Sequence, residues 1–356
     1  MPPSQRWNHV IDEHIGSLKD FVTGFKEILH DQLSPTVAKL HKPILRPLCY
    51  VKPLGKEYSQ ELASIAKITK KFGLTYSDLV LLNGSLDYLA KCTSAIFITT
   101  NGQVHARSLD WDMPQLKQLT IIVTFRKGGI DICKGITFVG CVGLLTVLHL
   151  ENLPSEVNDT FDSNDTFDGT FAVETDAYSL SYNFRRTGMS RKRHVFTSFL
   201  ANYFKQENIT FLLRETAVGC RSYEEAFQSL RQHTSSLFSS GYITLCGVNP
   251  SQGSMLAYGT RFHEVYMNDR IFVQTNHDLT METDTKFQLE KWADEDPVLL
   301  STFERKNMIT DAVKRLQFIT LEDVVTIMNT PPVLNDQTIF TSYMNPRLGT
   351  LTCEMK

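Results

Sequence analysis

Among the residues able to do covalent chemistry, Cys92 stands at the sharpest change of texture in the chain. Six other cysteines are present, Cys49, Cys133, Cys141, Cys220, Cys246 and Cys353. None of the seven makes a CxxC pair or a Cys/His spacing suited to zinc. The ordinary reading of a lone cysteine is a small buried hydrophobe. To act as a nucleophile, a thiol of pKa about 8.5 needs a base that makes it thiolate at neutral or acidic pH. One solution is a histidine partner oriented by an asparagine, as in papain-like enzymes. Ten histidines are available, but the papain-type sequence is missing and this cysteine opens a strand rather than a helix. The other solution is for Cys92 to become residue 1 of a chain. Its own α-amine, of pKa about 7.7–8, then serves as the base beside the sulfur. That requires cleavage of the Lys91–Cys92 bond, which the thiol can perform by attacking the preceding carbonyl in an N-to-S acyl shift.

The elements around Cys92 must deliver it to such a position. Ile11, Ile15, Leu18, Val22, Phe25 and Leu29 recur at helical steps, predicting an amphipathic helix over 10–33. Leu40–Leu54 is Pro-rich and irregular. Helices are expected over Tyr58–Phe72, stopped by Gly73, and over Ser77–Leu89. From Cys92 the sequence turns β-branched and aromatic. Ser94–Thr100 reads as a strand, Asn101-Gly102 is a hairpin signal, and Gln103–Arg107 returns. Leu119–Arg126 and Ile130–Cys141 read as further strands. Helices are expected over 192–214 and Ser222–Gln232. A second strand group follows at Tyr242–Val248, Met255–Tyr258, His263–Met267 and Ile271–Thr275. Helices near 305–317 and 321–329 and a final strand at Thr338–Tyr343 close the chain. Helices, two strand groups, then helices predict a layered α+β enzyme rather than a βαβ array.

Composition narrows the functional class. With 36 basic and 39 acidic residues, the net charge is −3 over 356 residues, which lacks the basic excess of a nucleic-acid reader. No apolar run approaches the roughly 18–20 residues that span a bilayer. The N-terminus shows no basic-then-apolar leader, which leaves an intracellular location open. Residues 151–176 hold eight acidic and no basic residues, including NDTFD at 158–162 and again at 164–168. They read as a solvated loop, since the spacing and glycine of a calcium loop are absent. Asn83, Asn158, Asn164 and Asn208 sit in glycosylation sequons, which matter only in the secretory pathway. Phe196, Phe199 and Tyr203 behind Arg191-Lys192-Arg193 suit either a core-facing helix or contact with anionic lipid.

Cys92-Thr93-Ser94, a hairpin, then Arg107-Ser108-Leu109-Asp110 resembles the start of the catalytic subunit in the acid ceramidase / N-acylethanolamine-hydrolysing acid amidase family, which belongs to the N-terminal-nucleophile (Ntn) hydrolases. The likeness runs along almost the whole chain and in order. It takes in Pro2-Pro3 with Arg6-Trp7, Phe138–Thr146, Ser179–Asn183, Ser222–Ala226, Val273–Asp278 and Pro332–Asn335. Departures include Lys91 where the family has an uncharged residue, Ser108 in place of Asn, Glu304 in place of a first Arg, and the acidic insert.

The resemblance implies an αββα sandwich of two antiparallel sheets flanked by helices. Residues 1–91 would form a helical N-terminal segment, the α-subunit after self-cleavage, and residues 92–356 the catalytic β-subunit, the two staying associated. Cys92 would be both self-cleaving residue and nucleophile. Asp110 would hold the protonated α-amine, Arg107 would orient the acyl group, Asn276 would supply an oxyanion-hole donor, and Arg305 would support the site electrostatically. Read without the resemblance, Arg107 and Asp110 make a surface ion pair, Asn276 a strand-end turn residue, and Arg305 a charge at a helix N-terminus. The implied reaction is hydrolysis of a linear amide in an N-acylated lipid, ceramide or an N-acylethanolamine, through a Cys92 thioester. It requires no metal or cofactor, and its substrate is presented by a membrane or micelle. The family implies a lysosomal or secreted location. Two alternatives stay open: a non-enzymatic lipid-binding homologue that never cleaves, and an Ntn amidase acting on a bile-salt-like or penicillin-like amide.

Overall fold

The computed structural model describes residues 1–18, 55–89, 91–150, 176–185, 208–233, 240–259, 262–278 and 297–356. The latter part of the 10–33 helix, the Pro-rich stretch, residues 151–175 of the acidic insert, and the 191–204 region with its aromatic and basic side chains lie outside them.

The N-terminal segment is helical where described, with α1 (Asn8–Glu13), α2 (Lys56–Thr69) and α3 (Tyr76–Leu89). On α2, Tyr58, Leu62 and Ile65 recur at steps of four and three and are buried, as one face of a surface helix should be. Gly73, at φ 84°, ends the short 3₁₀ turn that follows α2 in the left-handed conformation expected past a helix. The strands then begin: β1 (Lys91–Thr99) and β2 (Gly102–Asp110) form a hairpin, and Gly102 takes the positive φ, 102°, that its turn demands. A short α4 (Leu116–Leu119) leads into β3 (Thr120–Lys127), β4 (Ile130–Phe138), β5 (Thr146–His149) and β6 (Tyr178–Phe184). Helices α5 (Ile209–Gly219) and α6 (Tyr223–Gln232) precede β7 (Gly241–Cys246), β8 (Gly253–Tyr258), β9 (His263–Tyr266) and β10 (Ile271–Gln274). The chain closes with α7 (Pro297–Lys314), α8 (Leu321–Met328), β11 (Thr338–Asn345) and β12 (Thr350–Met355).

Among the described residues the strands form a five-stranded sheet, β10-β1-β2-β11-β12, and a seven-stranded sheet, β3 through β9 in chain order. Every pairing is antiparallel. Residues of α7 and α8 (Ile309, Val313, Val324, Ile327) pack on Ala95, Phe97, Val104 and Ala106 of the first sheet. Residues of α5 and α6 (Leu212, Leu213, Phe227, Leu230) pack on Val147, Leu180, Ile243 and Leu245 of the second. Strand side chains alternate between faces, so the opposite faces of the two sheets meet each other. The result is the expected αββα sandwich.

Part of that inter-sheet layer is polar. The His105 ring contacts Ser179 Oγ and Ser181 Oγ, each at 2.9 Å. Ser94 Oγ lies 2.7 Å from Ser181 Oγ and donates to Asn183 Oδ1 at 2.8 Å. Burial, reinforced by the charge of Arg107, pushes the His105 pKa down to about 3, so the imidazole is neutral and the layer adds no buried cation there.

The N-terminal segment shares a core with the rest. Trp7, Ile11, Tyr58, Leu62, Leu79 and Leu82 belong to one buried cluster with Cys92, Leu109, Trp111, Phe138 and Val142. Glu61, fully buried on α2, accepts from Trp7 Nε1 at 2.9 Å, from Arg6 at 2.8 Å, and from both terminal nitrogens of Arg214 on α5 at 2.6 and 2.7 Å. Asn83 on α3 does similar work: its side-chain nitrogen donates to Leu79 O and Gly140 O, and its oxygen accepts from Val142 N.

The structure amends several element boundaries. β1 begins at Lys91, not Cys92. β5, β6 and β12 were not read as strands. The helix expected over 192–214 is described from Ile209 and runs on to Gly219. α7 is described from Pro297, upstream of the start expected near 305.

Candidate active site

Cys92 is the second residue of β1, between β10 and β2, and is completely buried. Its side chain shares the inter-sheet face with Ser94. In register, Ser94 lies opposite Arg107 on β2, so Arg107 points into the same layer. Arg107 Nη2 donates to Cys92 Sγ at 3.3 Å and to Tyr182 O of the second sheet at 3.1 Å. Its guanidinium also lies over the Phe340 ring, 5.3 Å from the centroid. Arg107 Nε and Nη1 are buried with no hydrogen-bond partner among the described residues. They are two donors held ready beside the sulfur.

Asp110 sits on the other face of the same sheet. It is in register with Lys91 and Thr338, one face away from Cys92. Ser108 Oγ and Thr338 Oγ1 donate to its Oδ1 at 3.0 and 2.8 Å, and Arg305 Nη1 is 3.5 Å from its Oδ2. Arg305 projects from the middle of α7 and is fully buried. It donates to Cys92 O at 2.9 Å, to Thr93 Oγ1 at 2.7 Å and to Asn276 Oδ1 at 3.0 Å. The carboxylate therefore reaches Cys92 through Arg305 and the backbone of residue 92.

Asn276 lies two residues beyond β10. Its Oδ1 accepts from Cys92 N at 3.0 Å, and its Nδ2 donates to Phe184 O at 2.8 Å. With the Lys91–Cys92 bond intact, the asparagine thus presents its oxygen to the nucleophile's nitrogen, while the amide donor expected to face an oxyanion is engaged by Phe184. Lys91 Nζ donates to Gln337 Oε1 at 2.8 Å, so the residue before Cys92 is fastened next to Thr338.

Burial pushes the Cys92 thiol pKa up; Arg107 and Arg305 pull against that shift, and Asp110 adds to it. Cys92 therefore carries a neutral thiol beside two buried guanidinium groups. Burial also pulls the two guanidinium pKa values down, opposed by Asp110 and Cys92.

Cys92, Arg107, Asp110, Asn276 and Arg305 are thus brought to one place. Neither the surface ion pair nor the helix-terminal charge describes the arginines and Asp110, which are all buried. Sequence reasoning did not find Thr93 and Thr338. Thr93 adjoins the nucleophile and was within reach. Thr338 meets Asp110 across 228 residues, and no local pattern marks it. The six described cysteines are all free thiols.

A strand-leading cysteine between two stacked antiparallel sheets, with helices outside both, defines the fold of an Ntn hydrolase. The structural neighbour agrees: the solved Caenorhabditis elegans N-acylethanolamine-hydrolyzing acid amidase ortholog matches with a TM-score of 0.53 and 22% identity, covering 72% of this chain and 93% of that one. By sequence the chain is similar to N-acylethanolamine-hydrolyzing acid amidases and acid ceramidases. It is 27% identical to the C. elegans N-acylethanolamine-hydrolyzing acid amidase, over 98% of this chain and 87% of the relative. It is 23% identical to mouse acid ceramidase, over 98% and 82%. No protein-family model matches.

Proposed function

We propose that this protein is a lipid amidase that hydrolyses N-acylated lipids, ceramide or N-acylethanolamines, after cutting its own chain between Lys91 and Cys92. The observation that carries this reading is the buried Cys92 sulfur 3.3 Å from Arg107, with its own backbone nitrogen on Asn276 Oδ1.

In the first stage, Cys92 Sγ attacks the Lys91 carbonyl carbon. The C–N bond breaks, the thiol proton ends on the departing nitrogen, and Lys91 is left as a thioester. Water then releases the Lys91 carboxylate and returns the thiol. The new α-amine of Cys92 is held by Asn276 Oδ1, and Asp110 balances its charge once it has taken up a proton. In the second stage the neutral α-amine takes the thiol proton and the thiolate attacks the lipid's amide carbonyl; the α-ammonium then passes that proton to the lipid's nitrogen as its C–N bond breaks, so the lipid amine leaves and Cys92 carries the acyl group as a thioester. The spare nitrogens of Arg107 stabilise the oxygen on which negative charge develops, an interaction worth about 3–4 kcal/mol in comparable sites. Water resolves the acyl-thioester to a free fatty acid. Residues 1–91 and 92–356 are then the two subunits, held together by their shared core. A membrane or micelle presents the substrate, and a lysosomal or secreted location belongs to the same reading.

The test is incubation of the purified protein at about pH 4.5 and about pH 7, followed by a denaturing gel and a panel of N-acyl substrates. Pieces of 91 and 265 residues (356 − 91), lost in Cys92→Ala together with release of fatty acid from ceramide or an N-acylethanolamine, are the expected result. An intact chain that turns over no N-acyl lipid refutes it. Turnover confined to bile-salt-like or penicillin-like amides transfers the mechanism to a different substrate.

A further inference from the structure

Asn276 has no place in a strand ladder. The last paired residue of β10 is Gln274, opposite Ser94, so one residue of irregular chain, Thr275, separates Asn276 from the sheet. Arg305 donates to its Oδ1 at 3.0 Å, and further ties hold the segment that carries it against Cys92. One tie is its own bond to Phe184 O, at the end of β6 in the other sheet. The next residue of that strand end and a residue just past Asn276 make a second tie. Arg185 Nε and Nη2 donate to Asp278 Oδ1 and Oδ2 at 2.8 and 3.1 Å, a two-pronged pair, and Arg185 Nη1 donates to Tyr258 O at 3.1 Å. Tyr242 OH donates to Asp278 Oδ1 at 2.7 Å, and the guanidinium lies over the Tyr242 ring at 5.7 Å. The Arg185 side chain is 5% exposed and that of Asp278 14%.

Neither charge touches Cys92. A buried ion pair is weak support for stability, since an apolar pair of similar volume often serves as well. What a two-pronged pair supplies is fixed orientation. Here it closes a small ring through 184–185 and 276–278, joining the two sheets beside the nucleophile, and Asn276 cannot rotate without opening that ring.

We infer that Arg185, Asp278 and Tyr242 form a clasp of positioning residues that sets Asn276 against Cys92. This rests on the amidase reading above. The experiment uses full-length Arg185→Met, Arg185→Lys, Asp278→Asn and the apolar double variant Arg185→Met/Asp278→Leu. Stoichiometric labelling of Cys92 counts competent sites, and kcat and KM on N-acyl lipid micelles are expressed per labelled site. Arg185→Met, Asp278→Asn and the double variant should lose about 10- to 100-fold in kcat, as expected for a misplaced catalytic group, with KM within about threefold. Arg185→Lys should recover part of the loss. The double variant leaves no buried charge unpaired, so it should fold even if the single variants do not. Wild-type kcat per labelled site in the double variant overturns the clasp. Should the wild type hydrolyse no N-acyl lipid, the amidase reading fails on its own account. The clasp is then decided by the rates of Lys91–Cys92 cleavage and of Cys92 alkylation. A change of about fivefold or more in the double variant supports it, and unchanged rates overturn it.

Discussion

Arg107 spends one guanidinium nitrogen on the Cys92 sulfur and on Tyr182 O, and keeps two buried nitrogens unspent. Its charge is also the foremost influence opposing the upward push of burial on the Cys92 thiol. Arg107→Met removes both effects. The thiol pKa should rise further, so alkylation of Cys92 should shift to higher pH, and lipid hydrolysis should fall about 100-fold. A pH profile of iodoacetamide labelling read beside kcat measures both, and an alkylation profile that stays put contradicts the electrostatic role. At this scale Cys92 itself was legible, because a thiol at the seam between helical and β-branched sequence suggests an N-terminal nucleophile. The partners were legible only through family likeness. Arg107 and Asp110 are two among many charges in sequence, and Arg305 becomes part of the site only when α7 lies under β1. The side of Asn276 that faces Cys92 was not readable at all, since it depends on the carbonyl of Phe184 from the opposite sheet.

The elements that carry these groups are held by close backbone approaches as much as by apolar faces. Gly143 lies against the first turn of α5: Leu144 N donates to Thr210 O, and a Cβ at Gly143 would sit 2.3 Å from Thr210 Oγ1 and 2.6 Å from its Cβ. Gly143→Ala should therefore push α5 off the second sheet and cost about 1–3 kcal/mol. Gly219→Ala, with open space around it, should cost no more than about 0.5 kcal/mol. Urea unfolding of the two variants side by side decides this, and equal midpoints would contradict it. The helices with a clear apolar stripe and the Asn101-Gly102 hairpin were readable because their signals are local. β5 and β6 escaped because they are buried on both faces, so they lack the polar alternation that marks a half-exposed strand. β12 escaped for another reason: it is an edge strand whose pairing with β11 is set by the turn at Gly349 rather than by its own pattern.

Across the whole molecule, the N-terminal segment is bound to the catalytic body by a shared core and by the Glu61–Arg214 pair. Burial alone would raise the Glu61 carboxyl. Two hydrogen bonds and the charge from Arg214, with help from Trp7 and Arg6, reverse that and hold it below its usual value. A carboxyl depressed in the folded state stabilises fully above its unfolded pKa, near 4.5, and loses that contribution as pH falls through the lower folded value. The cleaved fragments should therefore co-elute in gel filtration at pH 5 and separate only at pH below the ordinary glutamate range. Glu61→Gln, which leaves Arg214 buried with only its longer contact to Glu57 at 3.3 Å, should weaken the association by about 3 kcal/mol at pH 5. Fragments of Glu61→Gln that behave as wild type would remove this pair from the joint. Asn83 fastens the same segment from α3, and it does so with the nitrogen to which an N-linked sugar would be attached, since that nitrogen already donates to Leu79 O and Gly140 O. Carbohydrate at this sequon and the docked helix are thus mutually exclusive. A chain sugar-tagged there would be barred from seating the segment that leads into Cys92.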